Sequence, residues 1–227
     1  MKKVAKKKSA THKPPGRPGR PTRSDAESTV QKVVEVATRL FAEKGYEGTS
    51  TKEICRDAGV NVAAIHYHFK SKENLYRAVV ERFGDSSIDA AARALQPANS
   101  IDEFKTRLTI YFAETVEALS RRPEIAMMIV RDAQTHPELI HEVTTRSFGH
   151  LDTALNNFLK HARDAGYINR HHSLEACTMS LQSQLIYLIV THRAMKLKYG
   201  FELSNPEHRS NWVTTTIDLY FNGVKAQ

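Results

Sequence analysis

The sequence predicts an all-α fold, and three features of its 227 residues carry that prediction. Apolar residues recur every three or four positions in one segment after another, which places them along one face of a helix. Ser or Asn stands before several of these segments, and Gly or Pro after them, as helix caps and stops. No stretch alternates apolar and polar residues in the manner of a strand, and no internal repeat is visible. The expected division is a basic tail over residues 1–23, a helical domain containing a helix–turn–helix over 24–84, and a larger helical bundle over 85–227.

The tail is rich in Lys, Pro and Gly and nearly lacks large apolar residues, so it cannot bury enough surface to fold alone. It holds nine Lys or Arg and no acid, more than the whole chain's excess of eight positive charges. Such a tail seeks a polyanion, either nucleic acid or an anionic membrane surface. Its segment from Gly16 to Pro21 resembles the AT-hook, an extended strand that lays arginines along a narrow A·T-rich minor groove. Arg17 and Arg20 are the candidate contacts. A proline stands between the two arginines, unlike the usual Arg-Gly-Arg-Pro core, and the alternative is a disordered polybasic arm that touches phosphates.

The first helix is expected to open at the capping box Ser24-Asp25-Ala26-Glu27. It runs through Val30, Val33, Val34, Ala37, Leu40 and Phe41 to a stop at Gly45. Ser50 and Glu53 form a second capping box, before a short helix with Ile54, Cys55 and Ala58 inside. Gly59 permits a sharp turn, and Asn61 caps a third helix with Ile65 and Phe69 inward. Ser71 caps the fourth, which carries Leu75, Ala78, Val79 and Phe83. Helices of about two turns are marginal alone and must be held by neighbours. Helix–turn–helix geometry of this kind suits the DNA major groove.

Ser100 caps a further helix through Phe104, Leu108, Tyr111, Phe112, Thr115 and Leu119. Pro123 begins another, over Glu124 to Gln134, which His136-Pro137 interrupts. A long helix then runs from Glu138 to Gly166, and a second from Ser173 to Tyr199. The segment 185–190 of the latter is apolar all round and must be covered on every face. The last helix starts at Asn205-Pro206, a cap followed by a first-turn proline.

The composition excludes several classes. No apolar run approaches the roughly 18 residues that span a bilayer. No hydrophobic core follows the basic tail, so a secretory signal is not expected and the chain should stay in the cytosol, with no membrane partner. Cys55 and Cys177 lie far apart without metal-ligand spacing and are expected as buried free thiols. Eleven histidines come without a Cys or carboxylate cluster, so no metal site is expected. With no nucleophile elbow, P-loop or dinucleotide fingerprint, neither catalytic residues nor a cofactor is expected.

Residues 25–75, centred on FAEKGYEGTSTKEICRDAGVNVAAIHYHFKSKENLY, resemble the DNA-binding domain of the TetR family of bacterial repressors, without a gap and with the phrases AGV, YHF and SKENLY. The resemblance implies an all-α homodimer on a pseudo-palindromic double-stranded operator, in the bacterial cytoplasm and associated with the nucleoid. It further implies that the C-terminal domain binds a small effector, dimerises and releases DNA. Carried over by position, Val62, Ala63 and Tyr67 fall at base contacts, while Ala64, His66, His68 and Lys72 fall at backbone-facing or mixed ones. Small alanines admit the helix backbone to the groove, and their methyls can meet thymine methyls. Lys72 and the N–H groups at Ser50 and Thr51 can receive phosphates. His66 stands where the family usually has tyrosine, and Val62 offers no hydrogen bond.

Residues 24–83 hold nine acids and nine bases, so the tail is expected to supply much of the electrostatic affinity. Tyr111, Phe112, Met127, Met128, Arg131, Gln134, Phe148, Gln182 and Tyr187 lie on the helices that enclose the effector in this family. Adaptable methionines and aromatics suit an apolar or amphipathic ligand, and Arg131 could meet an anionic group. Leu185, Leu188, Trp212, Ile217 and Tyr220 on the last two helices are the expected dimer interface. Two other readings are an architectural DNA-binding protein driven by its tail and a small-molecule-binding protein on the same scaffold.

Overall fold

The computed structural model describes residues 23–84 and 87–225, with the side chains of 27–82 and 90–225. The tail, with Arg17 and Arg20, and the side chains of Ser24, Asp25, Ala26 and Phe83 lie outside the described residues. Among the described residues there are ten α-helices and one isolated antiparallel bridge, Ile168 with Lys225. The helices are α1 (Arg23–Lys44), α2 (Thr51–Ala58), α3 (Val62–Phe69), α4 (Lys72–Gly84), α5 (Ser87–Ala94), α6 (Ile101–Arg121), α7 (Pro123–Thr135), α8 (Pro137–Asp164), α9 (Leu174–Tyr199) and α10 (Pro206–Val224). Helix α1 begins one residue before Ser24, which therefore lies inside the helix rather than ahead of it.

The remaining caps form where local chemistry places them. The hydroxyls of Ser50, Ser71, Ser100 and Ser173 accept from the backbone N–H three residues on, and the amide oxygens of Asn61 and Asn205 from the N–H two residues on. At the second box only the serine half is made. The Glu53 carboxylate turns instead to Lys44, tying α2 to the end of α1.

The buried apolar residues form two cores. The first joins α1 to α4 through Val33, Ala37, Phe41, Ile54, Ile65, Leu75 and Val79, and also takes Ile125 and Met128 from α7 and Ile140 and Val143 from α8. The second fills the bundle of α5, α6, α8, α9 and α10, around Phe104, Leu108, Phe112, Leu155, Phe158, Leu181 and Ile217. Helices α7 and α8 therefore belong to both halves. Movement of either is felt in both cores, because close-packed interiors transmit displacement. No described helix is long and apolar enough to cross a membrane.

Candidate nucleic-acid interface and ligand cavity

Helices α2 and α3 turn on Gly59, whose φ of +66° is left-handed and whose N–H closes onto the carbonyls of Arg56 and Cys55. Ile65 and Phe69 anchor α3 in the first core, while Val62, Ala63, His66 and Tyr67 face outward. Tyr67 is 74% exposed, too much for a core aromatic, and packs edge-on against His68. Ser50 is exposed at the start of α2, and Thr51, Ala64, His68 and Lys72 are half-buried. All the described DNA-contact candidates thus lie on α3 or at the N-termini of α2 and α4. At the C-terminus of α3, Lys70 adopts φ +69° and ψ −44°, and the Ser71 N–H donates to the Phe69 carbonyl at 2.8 Å. This is a γ-turn, a strained conformation for a side-chain-bearing residue. It sets the direction in which α4 leaves the exposed helix.

Lys72 leads inward from that face. Its ammonium lies 4.2 Å from the centre of the Tyr46 ring, within cation–π range. Tyr46 is buried and meets Tyr76 and His136 edge-on, with ring centres 5.4 and 5.2 Å away. Burial pushes its phenol up to about 12, helped by the nearby Glu73 and Glu47 carboxylates. The Tyr46 N–H and the Tyr76 hydroxyl both donate to Asp132 Oδ2, at 3.3 and 3.0 Å. Arg131 Nε donates to Asp132 Oδ1 at 3.1 Å, and its two terminal nitrogens donate to the Phe41 and Ala42 carbonyls at 2.7 and 3.0 Å. Arg131 thus serves carbonyls in the last turn of α1, where the helix leaves acceptors without intrahelical partners. Gly45, at φ +80°, leaves room for this: a Cβ there would lie 3.3 Å from Asp132 Oδ1. The joint between the two halves is therefore polar, buried and well supplied with partners.

The neighbouring face of α7 lines a cavity of about 380 Å³ with α6, α8 and α9. Ala126, Ile129, Val130, Leu119, Leu151 and Ile189 supply apolar wall, and Tyr111, Thr115, Thr144, Asp152 and Gln182 supply polar atoms. Of the nine residues expected at a ligand site, Tyr111, Phe148 and Gln182 line this cavity. Four are placed elsewhere by packing. Phe112 is enclosed and stacks on Trp212, Met128 belongs to the first core, Arg131 holds α1, and Gln134 is exposed. Met127 packs against the second core, and Tyr187 is 55% exposed on the outside of α9. Asp152 was not among the expected residues. It stands at the cavity's open side, accepts from Gln182 Nε2 at 2.8 Å, and has its carboxyl raised by burial above the usual aspartate value.

The apolar segment of α9 divides into two sides. Leu185, Leu188 and Ile189 are buried in their own chain, and Leu185 also lines the cavity. Ile217 on α10 is buried likewise, and Trp212 and Tyr220 are half-buried, the Tyr220 hydroxyl donating to the Cys177 carbonyl. Leu185, Leu188 and Ile217 are thus core residues rather than surface ones. The outward apolar residues are Met179, Ile186, Tyr187, Val190 and Leu197 on α9 and Leu219 on α10. Cys55 and Cys177 are buried free thiols.

Residues 33–79 match the family described as bacterial regulatory proteins, tetR family. YttP of Bacillus subtilis (strain 168) is 48% identical over 56 residues, a stretch covering 25% of this chain and 27% of that protein. The HTH-type transcriptional regulator AcrR of Shigella flexneri is 42% identical over 62 residues, covering 27% of this chain and 29% of AcrR. The chain therefore matches only about a quarter to a third of these two relatives' length. Similarity of fold extends much further. A tetR-family regulatory protein from Rhodococcus RHA1 superposes with a TM-score of 0.68 at 18% identity, covering 88% of this chain and 98% of that one. FadR from Bacillus subtilis, solved in complex with stearoyl-CoA, superposes with a TM-score of 0.67 at 14% identity, covering 85% and 98%. Residues 33–79, which hold the helix–turn–helix, are thus similar to the tetR family of bacterial regulatory proteins, and the all-helical fold as a whole is that of the solved structures it superposes on.

Proposed function

We propose that the protein is a dimeric transcriptional repressor of the bacterial cytoplasm. Residues 24–84 read a pseudo-palindromic operator, and residues 85–227 dimerise and bind a small effector that releases DNA. The observation that carries this reading is the position of α7. One face of it lines the cavity through Ala126, Ile129 and Val130, while Ile125, Met128, Arg131 and Asp132 are built into the DNA-domain core and the end of α1. A ligand that displaces α7 thereby shifts α1, Tyr46 and, through the Tyr46 ring, Lys72. An effector acts only through its different affinity for the two arrangements.

On DNA, α3 enters the major groove with Ala63 and Tyr67 toward the bases and Val62 against thymine methyls. Lys72, His66, His68 and the amides at Ser50 and Thr51 take phosphates. Dimerisation through the outer face of α9 and α10 covers the apolar side that a single chain leaves open. It sets two α3 copies about one DNA turn, or roughly 34–36 Å, apart.

Selection from a random duplex pool tests the reading. The expected result is one pseudo-palindrome bound roughly a thousandfold or more over bulk DNA at moderate salt. Tyr67→Ala should lose that preference with its helical circular dichroism unchanged. Failure to enrich any sequence would overturn the repressor reading, and uniform binding that depends on residues 1–23 would favour an architectural protein.

A further inference from the structure

We infer that the effector is a lipophilic cation, an apolar body carrying an ammonium or similar group that seats against Asp152. This rests on the reading of the cavity as the effector site and names the chemistry that site accepts.

Asp152 is the single charged side chain among the described residues that line the cavity. The cation that the sequence offered for a ligand, Arg131, is turned away onto the Phe41 and Ala42 carbonyls. The sign of the site is therefore negative. An anionic headgroup would meet the aspartate at the cavity's exposed mouth with no lining Lys, Arg or His to offset it, and like charges there repel. A cation gains from the same carboxylate, which apolar surroundings have already raised above the usual aspartate value. Gln182 holds one of its oxygens, Oδ1, and fixes its direction, and His150 is the other polar group nearby. Tyr111, Thr115 and Thr144 are short or anchored polar groups, with the two threonine hydroxyls donating to carbonyls of their own helices. The rest of the wall is aliphatic or aromatic and suits a hydrocarbon body.

The test is calorimetric titration of the full chain with decyltrimethylammonium, decanol and decanoate, which share one tail, each below its micelle concentration. The cation should bind at least about tenfold tighter than the carboxylate, with the alcohol between them. Asp152→Asn should reduce that preference to within about threefold while leaving decanol binding unchanged. Tighter binding of decanoate, a cation preference that survives Asp152→Asn, or no binding by any of the three would each overturn the inference. Operator binding measured in the same samples separates the two readings. If decanoate binds and releases DNA, the effector site stands and its assigned charge falls. If the cation binds through Asp152 yet DNA affinity is unchanged, the chemistry stands and the effector role falls.

Discussion

Two aspartates, twenty residues apart on neighbouring helices, occupy opposite situations. Asp132 on α7 is 3% exposed and accepts from a backbone N–H, a tyrosine hydroxyl and a guanidinium. Asp152 on α8 faces an open cavity with one amide donor on it. A buried charge with a full set of partners holds a structure together, whereas one with spare capacity beside an apolar cavity can recognise a ligand. The same residue type is thus a joint in one place and, on the inference above, a recognition group in the other. Surroundings decide, rather than identity.

That contrast can be broken most forcefully at the joint. Asp132→Ala strands the Tyr76 hydroxyl and the Tyr46 N–H in the interior, and should lower stability by about 3 kcal/mol or more in urea denaturation. A loss under about 1 kcal/mol would mean that the joint is held by its apolar contacts alone. A second change addresses the face beside the cavity. Tyr187→Glu should give monomers in sedimentation, because a charge buried without a partner is expensive; persistence of the dimer would place the interface elsewhere. Asp152→Asn should have the smallest effect, within about 0.5 kcal/mol at neutral pH. Its sign follows from the raised carboxyl. The folded chain keeps its proton to higher pH than the unfolded chain, so the ionised group opposes folding. As pH falls toward the ordinary value of 3.8, the parent should gain stability relative to the variant. An opposite trend would mean that Asp152 is favourably paired.

The difference between the two regions also explains what could be read from sequence. The helix–turn–helix was legible residue by residue, because its caps and its turn lie within three residues of their partners: Ser50 with Glu53, Asn61 with Ala63, and Gly59 at its own φ. Arg131 was expected at a ligand site, whereas the carbonyls it serves lie 89 and 90 residues earlier, beyond any local pattern. Asp152 was not singled out because the cavity is assembled from four helices, and an exposed aspartate at its mouth resembles any surface acid on a long helix. Leu185 and Leu188 were given to an interface because a segment apolar on every side carries no periodic signal of which side is inside. Tyr46 was not singled out in the sequence, and its place between Asp132 and Lys72 emerges only from the packing of α1, α4 and α7.

The central claim is that α7 carries the cavity's state to the DNA-binding head through Arg131 and Asp132. The most direct measurement is operator affinity with and without saturating decyltrimethylammonium, in the parent chain and in Arg131→Met. The parent should lose operator affinity by about 5- to 150-fold when the cavity is filled, the ordinary range of coupling between sites. Arg131→Met, which frees the end of α1 from α7 and removes no group from the cavity wall, should bind the cation with parental affinity yet show a ratio near one. An undiminished ratio in that variant would contradict the account.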